Sequence, residues 1–141
     1  MEKKKLGLAL CGSYCSYEKL FAAARPLAEE YELVPIMSDT AAETDTRFGT
    51  AAEHIRALME LCGGKRVVTT IAEAEPLGPK LGLDALLLEL ASAPGGFDRS
   101  LADNIGLRAI AAPGLPGRCA PRRAAELMRE AIEASLREGE G

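Results

Sequence analysis

Residues 6–11 read LGLALC, a continuous apolar run of strand length with no polar face, and nothing else in the chain restricts the fold as much. A strand apolar on both sides belongs in a parallel sheet covered by helices. Gly12-Ser13 breaks the run, and the next apolar residues fall at Tyr17, Leu20, Phe21, Ala24, Leu27, Ala28 and Tyr31. That spacing is the stripe of an amphipathic helix. Pro26 lies inside the stripe and is expected to kink or split the helix, because it removes a hydrogen bond. A second run, LVPIM at 33–37, contains Pro35, which argues against a regular central strand. A polar loop over 38–49 follows. Thr50 and Glu53 then form a capping box ahead of Ile55, Leu58, Met59 and Cys62, and Gly63-Gly64 ends that helix. Further strands are expected at 67–71, 84–90 and 107–112. A last helix opens at Pro121 and carries Ala124, Leu127, Met128, Ala131, Ile132, Ser135 and Leu136 on one stripe. Strands alternating with helices predict one small α/β domain over residues 1–141, a three-layer, doubly wound parallel sheet. In such a sheet, ligands sit beyond the carboxyl ends of the strands.

The bulk chemistry narrows the function classes. The net charge is −4 over 141 residues, so binding to nucleic acid, which wants a basic face, is not expected. No apolar run approaches the ~20 residues that span a bilayer, and residues 6–11 are too short for a signal-peptide core, so a cytoplasmic location is expected. The four cysteines, Cys11, Cys15, Cys62 and Cys119, match no paired zinc spacing, and His54 is the sole histidine, so no metal site is expected. Cys11 and Cys62 read as small buried hydrophobes. Cys15, near a helix start, has only His54 as a conceivable base; His54 reads as a partly exposed surface residue, so catalysis by this pair is not indicated.

Three loops carry candidate chemistry. CGSYCS at 11–16 puts Gly12 and Ser13 between the first strand and helix, where a hydroxyl and free amides can hold an anion. A single glycine is not a dinucleotide fingerprint. The structural alternative is a tight turn with Ser16 as the helix N-cap. TDTRFG at 44–49 gathers Thr44, Asp45, Thr46 and Arg47; Arg47 can pair in bidentate fashion with a carboxylate or phosphate. Alternatively, Asp45 and Arg47 only brace the loop and Phe48 staples the helix start. EAEPLGP at 73–79 is a rigid turn, and its Glu75 can act as an acid or base, pair with Arg47, or simply be solvated.

GSYCSYEK at 12–19, PIMS at 35–38, TDTRFG at 44–49, TIAEAEPLGP at 70–79 and DALLL at 84–88 together resemble the B-subunit family of dipicolinate synthase, from spore-forming bacteria. The resemblance covers roughly residues 1–90, and the last helix also matches that family's C-terminal helix. It implies a Rossmann-like, flavoprotein-like fold related to flavin-binding decarboxylases. It implies a partner, the A subunit of dipicolinate synthase, that carries the NAD(P) site, and conversion of dihydrodipicolinate to dipicolinate in the mother cell during sporulation. It implies ligand-binding positions at Gly12, Ser13 and Ser38, which face the phosphate in FMN-binding relatives, and at Thr44, Asp45, Thr46, Arg47, Glu75, Pro76 and Gly78. A small dicarboxylate suits an arginine with helix-end amides. The alternatives are an FMN-binding decarboxylase-like protein and a non-catalytic module that binds a small anion or a partner. Residues 91–141 depart from the family: its cysteine-bearing turn after the fourth strand is absent, and a segment that forms part of the flavin-facing wall is missing. The shortened sheet would expose strand edges that a second copy or the A subunit can cover.

Overall fold

The computed structural model describes residues 2–12, 14–69, 83–88, 109–111 and 121–138, those of 85–88, 109–111, 121 and 124 by their backbone alone. Strand β1 (Lys5–Leu10) is followed by a single 3-10 turn (Tyr14–Ser16) and helix α1 (Tyr17–Glu30). Strand β2 (Glu32–Met37), the short α2 (Asp39–Glu43) and α3 (Ala51–Leu61) come next, then β3 (Ala85–Leu88), β4 (Ala109–Ala111) and α4 (Pro121–Glu138).

All strand pairings in the sheet are parallel, in the order β2-β1-β3-β4. Val68 adds an isolated parallel bridge to Ile36 on the outer side of β2. In chain order the sheet therefore runs third, second, first, fourth, fifth, the described part of the expected third strand, 67–69, contributing that bridge. β1 sits at the centre, and every residue from Leu6 to Leu10 is buried, as its unbroken apolar run requires. Asp84 fixes its start: the Lys5 N–H donates to Asp84 Oδ2 at 2.7 Å, and the Asp84 N–H donates to the Lys5 carbonyl at 2.9 Å.

Both prolines behave differently from the sequence expectation. β2 pairs with β1 in regular register through Leu8↔Pro35. The Pro35 carbonyl accepts from the Val68 N–H, so the missing Pro35 donor faces the sparsely paired outer edge and costs the β1 ladder nothing. Helix α1 runs unbroken through Pro26. Its buried face, Tyr17, Leu20, Ala23, Ala24 and Leu27, is anchored in the core on both sides of the proline, and that packing outweighs one lost hydrogen bond.

Helices α3, α1 and α4 lie side by side, α3 and α1 against β2, α4 under β3 and β4. Met128 and Ile132 of α4 are fully buried and close the core built from Leu6, Leu8, Leu27, Met37 and Leu58. No helix among the described residues is long and apolar enough to cross a membrane. The expected strand residues 70–71, 89–90, 107–108 and 112 fall outside the described residues.

Candidate functional site

The register Leu10↔Met37 ends β1 and β2 side by side, so the Gly12 and Ser38 positions begin neighbouring loops at the carboxyl edge of the sheet. The Ser38 N–H donates to the Leu10 carbonyl at 3.0 Å and ties the two loops together. The Ser38 hydroxyl accepts from the Ala41 N–H at 3.2 Å and caps α2, which leaves its own O–H as a donor. A Cβ built on Gly12 would meet open space, so no close backbone approach requires glycine there. Ser13, Glu75, Pro76 and Gly78 lie outside the described residues.

The TDTRFG loop is braced from within. The Thr46 and Gly49 backbones exchange hydrogen bonds of 2.9 and 3.1 Å, and the Phe48 N–H donates to the Thr46 hydroxyl at 3.2 Å. Asp45 Oδ1 accepts from the Ala51 N–H at 2.8 Å, satisfying a first-turn amide of α3. The Thr44 hydroxyl donates to the Thr40 carbonyl at 2.6 Å. The capping box is present: Thr50 Oγ1 accepts from the Glu53 N–H, and Glu53 Oε2 accepts from the Thr50 N–H at 2.7 Å. That backbone bond holds the Glu53 carboxyl below its usual range. Asp45 and the threonines thus serve the loop's own shape. Arg47 rests its guanidinium over the Phe48 ring, 4.8 Å from the centroid, rather than on Asp45. Phe48 is 49% exposed and does not staple the helix.

Between the starts of α1 and α3 lies a cleft of about 450 Å³, lined by Tyr14, Cys15, Tyr17, Glu18, Phe21, Phe48, Gly49, Glu53, His54 and Ala57. His54 is 6% exposed, not a surface residue. It stacks on Tyr14 at 6.0 Å between ring centroids and meets Tyr17 edge-on at 4.8 Å. Its Nδ1 is buried without a hydrogen-bond partner among the described residues. The Tyr17 hydroxyl donates to the Cys11 carbonyl, linking the first strand's end to the helix that follows. Ser16 occupies the N-cap of α1, yet its side chain makes no capping bond because the 3-10 turn precedes it. Cys15 is exposed, Cys11 half-buried and Cys62 buried; burial pushes the Cys62 thiol up to about 12. Sequence reasoning missed this cluster. Its signal was the spacing of Tyr14, Tyr17 and Phe21, which sets the rings of Tyr17 and Phe21 on one side of the first helix beside that of Tyr14 in the turn before it.

No protein-family model matches the chain. Over 89 residues, 62% of this chain, it is 37% identical to the B subunit of dipicolinate synthase from Bacillus subtilis, of which it covers 44%. Over 53 residues, 38% of this chain, it is 43% identical to the A subunit of dipicolinate synthase from the same organism, of which it covers 18%. The crystal structure of the dipicolinate synthase B subunit from Bacillus halodurans has the same fold, with a TM-score of 0.53 at 23% identity, over 99% of this chain and 62% of that one. The chain spans less than half the length of the curated relatives it matches.

Proposed function

We propose that this chain works as a B-type component of dipicolinate synthase, acting with an NAD(P)-binding A-type partner to form dipicolinate from dihydrodipicolinate during sporulation, in the cytoplasm of the mother cell. The observation that carries this reading is the 37% identity to the B subunit over 89 residues. The TDTRFG loop and the loops at 12 and 38 then sit at the carboxyl edge of the sheet, where a small ligand is received. In this reading the sheet is doubly wound, with helices on both faces, supported by the burial of β1 on both sides and by the order of the strands.

Arg47 is the group offered to a substrate carboxylate. Its present partner is a ring rather than an acid, so the guanidinium keeps its donors for a ligand without breaking an ion pair. Ser13, Glu75 and Gly78 complete the proposed ligand set with Gly12, Ser38, Thr44, Asp45 and Thr46; the latter three set the loop's shape rather than contact the ligand. Substrate oxidation requires a hydride acceptor, which the A-type partner supplies. The FMN-binding decarboxylase alternative is not favoured, because the identity is to the B subunit of dipicolinate synthase.

The lengths of the two similarities support reading the chain in two parts. The B-like motifs end with DALLL at Leu88, and the residues beyond it equal in number the 53 similar to the A subunit. We read residues 89–141 as an A-type piece joined to a B-type half. That join accounts for the departure from the B-type pattern past Leu90 without an internal deletion, and it makes β4 and α4 the A-type contribution to a B-type sheet.

The test is substitution of Arg47 by alanine in a reaction reconstituted with the A-type partner. Arg47 is in an exposed loop, so folding is retained, and the substrate KM is expected to rise about tenfold or more, the scale of a lost charge-assisted hydrogen bond. An unchanged KM with unchanged folding would falsify the Arg47 role.

A further inference from the structure

We infer that the aromatic cleft between α1 and α3 is a binding site for a small organic cation of the N-alkylpyridinium or quaternary ammonium class. The chain contains three Tyr, three Phe and no Trp, and four of those six rings, Tyr14, Tyr17, Phe21 and Phe48, line this one cleft. Ring faces carry negative potential and attract a cation lying over them. Two carboxylates, Glu18 and Glu53, also line the cleft; among the described residues no Lys or Arg lines it, and the one cation beside it, Arg47, stands over the outer Phe48 ring. Rings and acids therefore act in the same direction. A cation gains from both, a neutral ring gains only stacking, and an anion is repelled by the carboxylates.

Two features separate this cluster from ordinary core packing. Phe48 is half exposed, so its ring lies in water beside the cleft instead of being consumed by the interior. The protein already seats one cation on that ring, the Arg47 guanidinium. The floor is rigid: buried His54 braces Tyr14 and Tyr17 from below, and the Tyr17 hydroxyl is tied to the end of β1. The rings thus need little ordering on ligand entry. The volume, about 450 Å³, admits a single-ring cation with room for a substituent. Gly12, Ser38 and Arg47 do not line the cleft, while Phe48 and Gly49 of the TDTRFG loop do, so this site adjoins the one proposed for dipicolinate chemistry on the far side of the Phe48 ring.

The test is a titration of the whole chain, followed by amide chemical shifts, with three isosteres: 1-methylnicotinamide (cation), nicotinamide (neutral) and nicotinate (anion). The cation is expected to bind tightest and to move amides within 14–21 and 48–57, with nicotinate weaker by about tenfold or more. Phe48→Ala and Glu18→Gln, both changes at the rim, are expected to weaken the cation about fivefold or more while the unliganded spectrum stays folded. Nicotinate binding as well as the cation, shifts mapping elsewhere, no saturable binding, or full affinity in both folded variants would each overturn the assignment.

Discussion

At Gly49 the backbone φ is 142°, and a Cβ would lie 2.8 Å from His54 Nε2. Both facts exclude a side chain, one by conformation and one by the buried ring behind it. Gly49→Ala is expected to destabilise the chain by about 1–3 kcal/mol in a urea titration; no change in midpoint would contradict this close approach. The thiols make a second residue-scale contrast. Cys15 is exposed, while burial raises the Cys62 thiol from 9.0 to about 12. An aromatic disulfide reagent at pH 8 is expected to modify Cys15 in the native state and leave Cys62 until unfolding. The sign of the pH dependence follows. Below about pH 9 Cys62 is neutral folded and unfolded, and its stabilisation is complete; between about 9 and 12 only the unfolded chain ionises, and stability is lost. The stability advantage over Cys62→Ala is therefore expected to stay level up to pH 9 and shrink above it. Burial of Cys62 was legible from its place on the helical stripe. Burial of His54 was not, because the rings that cover it come from α1 and from the 3-10 turn, far away in sequence.

Among the elements, α3 was read almost residue for residue because its ends are specified locally. Thr50 and Glu53 cap it reciprocally, and Gly63 and Gly64, both at positive φ, end it with bonds from the Gly63 N–H to the Glu60 carbonyl and the Gly64 N–H to the Met59 carbonyl. Thr50→Ala is expected to cost about 0.5–2 kcal/mol, measured by the same titration. The two prolines resisted such reading. Whether Pro35 harms a strand depends on which neighbour its nitrogen faces, and whether Pro26 breaks a helix depends on core contacts, neither of which is local. For α4, burial outweighs charge. Ile132 is fully buried, whereas the Arg129–Glu30 pair at 2.8 Å joins side chains 34% and 46% exposed. Ile132→Ala is expected to cost about 2–5 kcal/mol and Glu30→Gln less than about 1. The reverse ranking would mean that α4 is held by ion pairs.

For the whole molecule, the parallel sheet was legible from the two-sided apolar run of β1, whereas the strand order β2-β1-β3-β4 came from the structure alone. The proposed division into B-type and A-type parts was not legible, because periodicity records what a segment can become and not which relative it resembles. If residues 89–141 are of A type, replacing them with the matching stretch of the Bacillus subtilis A subunit is expected to preserve cooperative unfolding. Loss of the cooperative transition would contradict that division.

The most direct measurement is dipicolinate formed from dihydrodipicolinate by the purified A-type partner and NAD(P), with and without this chain. Dipicolinate that accumulates only when the chain is added, and only while the chain is bound to that partner, is the outcome this account requires. Equal yields without the chain, or no association between the two proteins, would contradict it.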